Sequence, residues 1–223
     1  MNDKEKNQHI KKSIIWTYKS TKKDIFTNIY RRNLWGNEES VSGAGSTIKA
    51  AENLINQLPN LIDKYKIKTL LDAACGDYKW MSTANLNLTK YIGVDIVSEI
   101  IEINKQNYGS RSLNKEFYEL NIISDKIPQV DLILCRECFV HLNNLDILKA
   151  LNNIKNSKSK YLLTTTYTNI VRNIDILAGL YRPINLQKPP FILPEPLMFI
   201  DDNNFNTNHK FMALWQIEDI PDF

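Results

Sequence analysis

The sequence predicts an α/β fold that is built on a mainly parallel sheet, and three observations carry this prediction. From about residue 68 onward, short apolar segments alternate with amphipathic ones, and such alternation is typical of parallel strands joined by right-handed helical crossovers. Several of the apolar segments are nearly continuous, as strands covered on both faces require. The last two apolar segments are separated by the turn-rich stretch NNFNTNH, which predicts an antiparallel C-terminal hairpin and seven strands in all.

The length and composition are those of one globular domain with a modest appendage. The chain has 223 residues, of which 43% are hydrophobic and 24% charged, so it can bury a stable core without disulfide bonds or a structural metal. A net charge of +3 is too small to indicate binding to nucleic acid or membranes. Cys75, Cys135 and Cys138 lack zinc-site spacing, and their odd number favours reduced thiols in the cytoplasm. We find neither a membrane-spanning apolar run nor a secretory signal, and we expect a cytoplasmic protein.

The first part of the chain is predicted to be a helical arm that is separate from the sheet domain. Residues 8–35 carry aromatic and aliphatic side chains at roughly helical spacing. The run SVSGAGST, residues 40–47, consists of small residues and predicts a loop. We assign residues 1–45 to the arm and loop and residues 46–223 to the sheet domain. Ser46 is expected to cap the helix that follows, over residues 48–62.

The elements of the sheet domain follow in a regular order. The predicted helices cover residues 98–108 and 144–156, and a Pro-rich insertion at about 181–197 is expected to form a stiff loop beside the site. Asp201-Asp202-Asn203 is interpreted as a loop rather than a metal site. The predicted strands cover residues 68–74, 91–96, 115–122, 131–137, 160–167, 196–202 and 210–219.

The residues that follow the first two strands are candidates for ligand binding, because ligands of open α/β sheets bind at the carboxyl ends of the strands. After the first strand comes the segment DAACGDY, residues 72–78, in which Gly76 provides a tight turn and small residues permit close approach of the backbone. The segment lacks the three glycines of the dinucleotide fingerprint. The second strand ends in Asp95, where a carboxylate can accept both hydroxyls of a ribose. From the residues alone, a Rossmann-like domain that binds a nucleotide, or nothing, stays an alternative.

In these segments the chain resembles the class I S-adenosylmethionine-dependent methyltransferases. LLDAACGD is similar to the first motif of that family, and YIGVDI and ELNI follow in the family's order, so that the resemblance covers about residues 68–167. It implies a Rossmann-like methyltransferase fold and S-adenosyl-L-methionine as the cofactor. It also implies that Asp72 fixes the loop and the methionine end, that Asp95 holds the ribose, and that the Asn121 carbonyl accepts from the adenine amino group. The implied cofactor-binding residues are Asp72, Ala74, Cys75, Gly76, Asp77, Asp95, Ile96, Asn121, Ile122, Cys135 and Arg136.

Two departures and one catalytic segment follow from the same resemblance. Ala74 and Tyr78 stand where the family usually has glycine, so the shape of the loop is an open question. The fourth strand runs into the segment CRECFVHL, residues 135–142, which the resemblance places beside the sulfonium. Methyl transfer mainly requires alignment, but an alcohol acceptor also needs a base, for which His141 is the candidate and Glu137 the second choice. That His141 only packs or caps a helix is an equal alternative.

The acceptor side is predicted from the arm, the small-residue loop and the Pro-rich insertion. The segments RRNLWGNEESVSGAGST and YRPINLQKPPFILPEP resemble a poorly characterised bacterial branch whose members modify small molecules. We therefore expect a small polar acceptor, anionic or sugar-linked, such as an intermediate of surface polysaccharide modification, and a monomer or homodimer. A methyltransferase acting on RNA or protein and a catalytically silent cofactor-binding partner are the alternatives. The predicted acceptor-binding residues are Trp35, Ser42, Arg136 and Arg182.

Overall fold

A seven-stranded sheet lies at the centre of the protein. The structure is a computed structural model that describes residues 20–109, 114–203 and 208–223. The strand order is β3-β2-β1-β4-β5-β7-β6, with β1 to β5 parallel and β7 antiparallel to both of its neighbours. The predicted fold class is confirmed, including the C-terminal hairpin. The strands are β1 (Thr69–Ala73), β2 (Lys90–Asp95), β3 (Lys115–Glu119), β4 (Leu132–Cys135), β5 (Tyr161–Tyr167), β6 (Met198–Asp201) and β7 (Lys210–Gln216).

Helices cover both faces of the sheet. The described α-helices are α1 (Lys22–Arg31), α2 (Ile48–Lys64), α3 (Ser98–Asn104) and α4 (Asn144–Asn156), and a π-helical turn (Lys105–Gly109) continues α3. Short 3₁₀ helices cover Ala44–Ser46, Met81–Thr83, Phe139–His141 and Ile217–Asp219. The predicted cap of α2 was wrong by one residue, because the Thr47 hydroxyl accepts from the Ala50 N–H while the Ser46 hydroxyl donates to the Ser42 carbonyl.

The core has one layer on each face of the parallel strands. On one face, apolar side chains of α4 pack against Leu71, Ile133 and Leu162, and on the other, α2 packs against Leu70 and Leu134. Each central strand therefore has apolar side chains on both faces, which explains the near-continuous apolar segments of the sequence.

The long connection between β5 and β6 belongs to the core rather than to a surface loop. Residues 168–197 contain no helix or strand, yet Ile184, Leu186 and Phe191 are fully buried against the α4 face. Asn173 holds the segment together, because its side chain donates to the Asn185 carbonyl and accepts from the Asn185 N–H. The predicted insertion at 181–197 is thus the second half of a longer, packed segment.

The arm packs on this segment. The N-cap Thr21 and Asp24 form a reciprocal capping box at the start of α1, and Ile25 and Ile29 pack on Ala178. Three cations of α1 pair with acids of the sheet domain, namely Lys22 with Asp146, Lys23 with Glu119 and Arg31 with Glu99. The predicted apolar positions Ile14, Ile15, Trp16 and Tyr18, and most of the NNFNTNH turn, lie outside the described residues.

Candidate active site

A cavity of about 460 Å³ lies at the carboxyl ends of β1, β2 and β4, with the arm as its opposite wall. This volume is within the range of small-molecule sites. Its location is the one expected for an open α/β sheet, where strand order reverses between β1 and β4. Of the residues predicted to form the site, those that line the cavity are Trp35, Ser42, Ala74, Gly76, Asp95, Ile96, Asn121, Ile122, Arg136, Glu137 and His141.

The loop after β1 keeps a glycine-type backbone with few glycines. Ala74 has φ +64°, Gly76 +53° and Tyr78 +59°, so both residues that replace the family's usual glycines adopt the left-handed conformation. This costs a non-glycine residue about 1–2 kcal/mol. For Tyr78 the cost is offset by packing, because its buried ring contacts the rings of Tyr91 and Phe117 at 5.0 and 5.2 Å between centroids. Ala74 and Tyr78 thus adopt the left-handed backbone conformation that glycine adopts most readily.

The small-residue loop is seated directly on this turn. The Ser42 hydroxyl accepts from the Asp77 N–H at 3.1 Å, and a Cβ at Gly76 would lie 2.2 Å from the Ser42 Oγ. Only glycine at position 76 permits this approach. Ser42 thus lines the cavity as a fixed part of its wall, between the arm and the loop after β1.

Asp95 presents its carboxylate at the cavity wall. Its side chain is almost buried, with 8% of the residue exposed, and its two oxygens accept from the Gly76 N–H at 3.1 Å and the Val97 N–H at 3.0 Å. Burial raises the pKa of this carboxyl above its ordinary value. Because a carboxylate has about four lone-pair sites, Asp95 can still accept from an external donor, and Ile96 lies next to it on the cavity wall.

The amide of Asn121 is held by a hydrogen bond within its own chain segment. Its oxygen already accepts from the Ile123 N–H at 3.0 Å, as in an Asx-turn. The amide NH₂ has no partner among the described residues and is available to a ligand as a donor, while the carbonyl oxygen keeps a second lone pair for the predicted contact. Ile122 remains beside it on the cavity wall.

Four of the predicted cofactor-binding residues lie behind the cavity wall instead of lining it: Asp72, Cys75, Asp77 and Cys135. Asp72 is buried and accepts from the Tyr91 hydroxyl at 2.7 Å, and burial raises its pKa to about 7. Cys75 and Cys135 are buried thiols, and the Asp77 carboxylate accepts from the Lys79 N–H. These residues shape the wall, and we no longer expect them to contact the cofactor directly.

His141 faces the cavity in a defined tautomer. Its Nδ1 lies 2.9 Å from the Leu180 carbonyl oxygen, and since a carbonyl only accepts, Nδ1 carries the proton. Burial lowers the pKa of the imidazole, so the ring is neutral at pH 7 and its Nε2 has a free lone pair. Trp35 stacks on the ring at 4.6 Å between centroids. The imidazole is therefore clamped between the arm and the segment after β5.

Arg182 holds this arrangement from outside the cavity. Its guanidinium donates to the carbonyls of Ile174 and Phe139 and to the side chain of Asn144, and its N–H donates to the Val140 carbonyl. The prediction that Arg182 contacts the acceptor was wrong, because every one of these partners is internal and the residue does not line the cavity.

Four charged side chains form a buried cluster beside the cavity, and we call them the charge cluster: Arg136, Glu137, Asp202 and Lys210. Arg136 pairs with Asp202 at 3.0 Å and also donates to the Gly45 carbonyl at 2.7 Å. The Lys210 ammonium lies 3.0 Å from both Asp202 and Glu137. Asp202 lies in the loop directly after β6, as predicted, and is a buried structural counter-ion there, so the predicted contact of Arg136 with the acceptor loses its basis.

Sequence reasoning missed further residues of the cavity wall. Tyr167 and Tyr181 share a hydrogen bond between their hydroxyls at 2.8 Å and, with Lys210, line the cavity. Lys210 begins β7, and only the antiparallel return of the hairpin brings it beside β5. Its position in an otherwise apolar strand was the single available hint.

Neither a cluster of potential metal ligands nor a membrane-spanning helix occurs within residues 20–109, 114–203 and 208–223. No three His, Cys, Asp or Glu side chains there lie together as potential metal ligands. No helix there has the length and apolar character that spanning a bilayer requires.

The comparisons with known proteins agree with this geometry. Residues 70–158 match a family model described as a methyltransferase domain. Magnesium protoporphyrin IX methyltransferase from Synechocystis PCC 6803, solved with bound SAH, has a TM-score of 0.57 at 9% identity and covers 91% of this chain and 98% of its own. The N-methyltransferase NodS from Bradyrhizobium japonicum WM9 has a TM-score of 0.56 at 13% identity, over 75% of this chain and 96% of its own. No curated protein sequence matches the chain significantly. At these identities the solved structures establish the fold alone.

Proposed function

We propose that this chain, a member of the class I S-adenosylmethionine-dependent methyltransferase superfamily, transfers the methyl group to a hydroxyl of a small polar acceptor with His141 as the general base. The cofactor is S-adenosyl-L-methionine. The observation that carries the proposal is the hydrogen bond from the His141 Nδ1–H to the Leu180 carbonyl, because it leaves the basic Nε2 free at the cavity.

The residues of the cavity fit the cofactor in chemical type. Asp95 offers acceptors for the ribose hydroxyls, the Asn121 NH₂ offers a donor for an adenine ring nitrogen, and Ile96 and Ile122 offer apolar contacts for the ring. The left-handed backbone at Ala74 lets the main chain line the cavity without a bulky side chain. When bound, the cofactor supplies an electrophilic methyl group on a sulfonium and leaves as S-adenosylhomocysteine.

His141 would move one proton in this reaction. A hydroxyl on the acceptor that donates to Nε2 is oriented by that hydrogen bond, and its proton passes to Nε2 as the oxygen gains the methyl group. Because burial lowers the pKa of the imidazole, the base is already unprotonated at neutral pH and needs no activation. The Leu180 carbonyl then stabilises the imidazolium through the Nδ1–H.

The arm belongs to the acceptor side in this proposal, as the assignment of residues 1–45 predicts. Trp35 and Ser42 line the cavity from that side, and Trp35 covers His141. A sugar or other intermediate of surface polysaccharide modification stays a prediction, which an acceptor panel tests.

The proposal is tested by S-adenosylhomocysteine production with hydroxyl acceptors, in wild type and His141→Ala. We expect the variant to lower kcat by about 10²–10⁴-fold, the usual contribution of a general base, with an unchanged affinity for S-adenosylhomocysteine by calorimetry. The wild-type rate should fall as the pH drops through the lowered pKa of His141, because an imidazolium cannot accept a proton. A variant rate within about threefold of wild type would exclude general-base catalysis of the usual size, and turnover of amines alone would favour N-methylation.

A further inference from the structure

All the cations that the structure describes on the cavity wall are already paired with acids. Lys22 lies 2.9 Å from Asp146, and Arg136 lies 3.0 Å from Asp202. Lys210 lies 3.0 Å from both carboxylates of the charge cluster. Within that cluster two positive and two negative charges sum to zero. An anionic group in the cavity would therefore meet no uncommitted cation.

The charge cluster turns one carboxylate toward the cavity. The side chain of Glu137 is 19% exposed, whereas those of Lys210 and Asp202 are each 1% exposed. Glu137 has φ +54°, a conformation that costs an L-residue about 1–3 kcal/mol and that concentrates at functional sites. Its N–H donates to the Thr165 hydroxyl at 2.9 Å. The backbone is thus held in a strained turn that presents the carboxylate at the cavity wall.

Apart from its ion-pair partner Lys210, Glu137 has neutral groups near it at the cavity wall, namely the phenols of Tyr167 and Tyr181 and the imidazole of His141. After burial, its negative charge is the main cause that raises the pKa of Tyr167, and it also raises the pKa of Tyr181 and opposes the lowering at His141. Both phenols are therefore protonated at neutral pH, and the imidazole is uncharged. This part of the cavity wall thus presents one carboxylate, with two phenol hydroxyls and a neutral imidazole around it.

We infer that the methyl acceptor carries no phosphate or carboxylate inside the cavity, but hydrogen-bond donors that bind Glu137, as a neutral polyol or an amino alcohol does, with Lys210 as the residue that positions Glu137. This inference rests on the proposed function, of which it narrows the acceptor class. Lys210 holds the carboxylate in place, since its ammonium is buried between Glu137 and Asp202. An anionic acceptor would face Glu137 instead, and like charges in a partly buried site repel strongly.

Two opposite changes of the charge cluster test this inference without knowledge of the acceptor. Glu137→Gln leaves the cluster with a net charge of +1, and Lys210→Met leaves it with −1. Wild type and both variants, each loaded with S-adenosylhomocysteine, are titrated by calorimetry with inorganic phosphate and with ethanolamine. We expect phosphate to bind Glu137→Gln at least about tenfold more tightly than wild type, because an unpaired cation now faces the cavity. Ethanolamine should bind wild type and Lys210→Met but lose at least about tenfold in affinity for Glu137→Gln.

A matched control separates the cavity from the rest of the surface. Glu195→Gln changes an exposed carboxylate that contacts Gln187 and does not line the cavity, so it should bind both probes like wild type. A purely structural role of the cluster would weaken both probes alike and would not reverse their order between the two variants. Should Glu137→Gln fail to fold by circular dichroism, the phosphate and ethanolamine affinities of Lys210→Met decide alone.

The outcomes are distinguishable from a failure of the proposed function. An equal phosphate affinity of wild type and Glu137→Gln would overturn the inference. If the wild type does not bind S-adenosylhomocysteine, the proposed function is wrong. The phosphate affinities of the unloaded wild type and variants would still show how the charge of the cluster affects anion binding.

Discussion

Replacement of Asp72 by Asn should make the protein more stable at neutral pH. Asp72 is buried behind the cavity wall, and burial raises its pKa from 3.8 to about 7 while the Tyr91 hydroxyl donates to it at 2.7 Å. A carboxyl whose pKa rises on folding binds its proton more tightly in the folded state. The free energy of unfolding therefore falls as the pH rises from about 4 to about 7, by about 4 kcal/mol in total. An Asn side chain keeps the acceptor for Tyr91 and has no charge to bury.

The difference in unfolding free energy between Asp72→Asn and wild type should consequently grow with pH. Between pH 5 and pH 8 we expect the variant to gain about 2–3 kcal/mol on wild type, measured by urea unfolding followed through tryptophan fluorescence with equal m-values. Asp131→Asn is the matched control, because hydrogen bonds and Lys160 lower the pKa of Asp131 to about 2. Its stabilisation is complete above pH 4 and is lost only as the pH falls toward 2, so this variant should show a constant loss from pH 5 to pH 8. A difference for Asp72→Asn that stays constant over that range would refute the reasoning.

Three further changes test the loop, the ribose contact and the seat of the arm. Asp95→Ala should weaken S-adenosylmethionine binding by about 10–100-fold in calorimetry, since hydrogen bonds to a charged acceptor contribute about 1.5–3 kcal/mol. The control Asp77→Ala, outside the cavity, should bind like wild type. Equal affinities of Asp95→Ala and wild type would show that Asp95 is not part of the site. Ala74→Gly should raise stability by up to about 1 kcal/mol in urea unfolding, because relief of the left-handed conformation exceeds the added chain entropy; a loss of stability would contradict that strain. Gly179 has φ +87°, and a Cβ at this position would lie 2.8 Å from the Ile29 side chain. Gly179→Ala should therefore loosen the packing of α1 and speed its proteolysis, and an unchanged cleavage rate would contradict this packing.

The sheet and half of the site were predictable because their determinants are local. Five parallel strands and α4 follow from runs of apolar residues, and Asp95 and His141 follow from their places at the end of β2 and in the segment after β4. The roles of the arginines were not predictable, because a guanidinium at a strand end looks the same whether its partner is a ligand or Asp202. Lys210 was missed for a related reason: its neighbours come from β4 and β5, and the antiparallel return of β7 that places it there becomes visible only in the assembled sheet.

The arm and the proposed base are parts of one packed unit, and this explains why residues far apart in sequence must act together. The Gly179 N–H donates to the His141 carbonyl at 2.9 Å, and the neighbouring Leu180 carbonyl accepts from the His141 side chain. On the opposite side of the same turn, Ile29 packs against Gly179, and Trp35 covers the imidazole. Displacement of the arm would therefore remove the stacking partner of His141 and loosen the turn that fixes its tautomer. In the proposed function, the orientation of the base therefore depends on the packing of the arm against this turn.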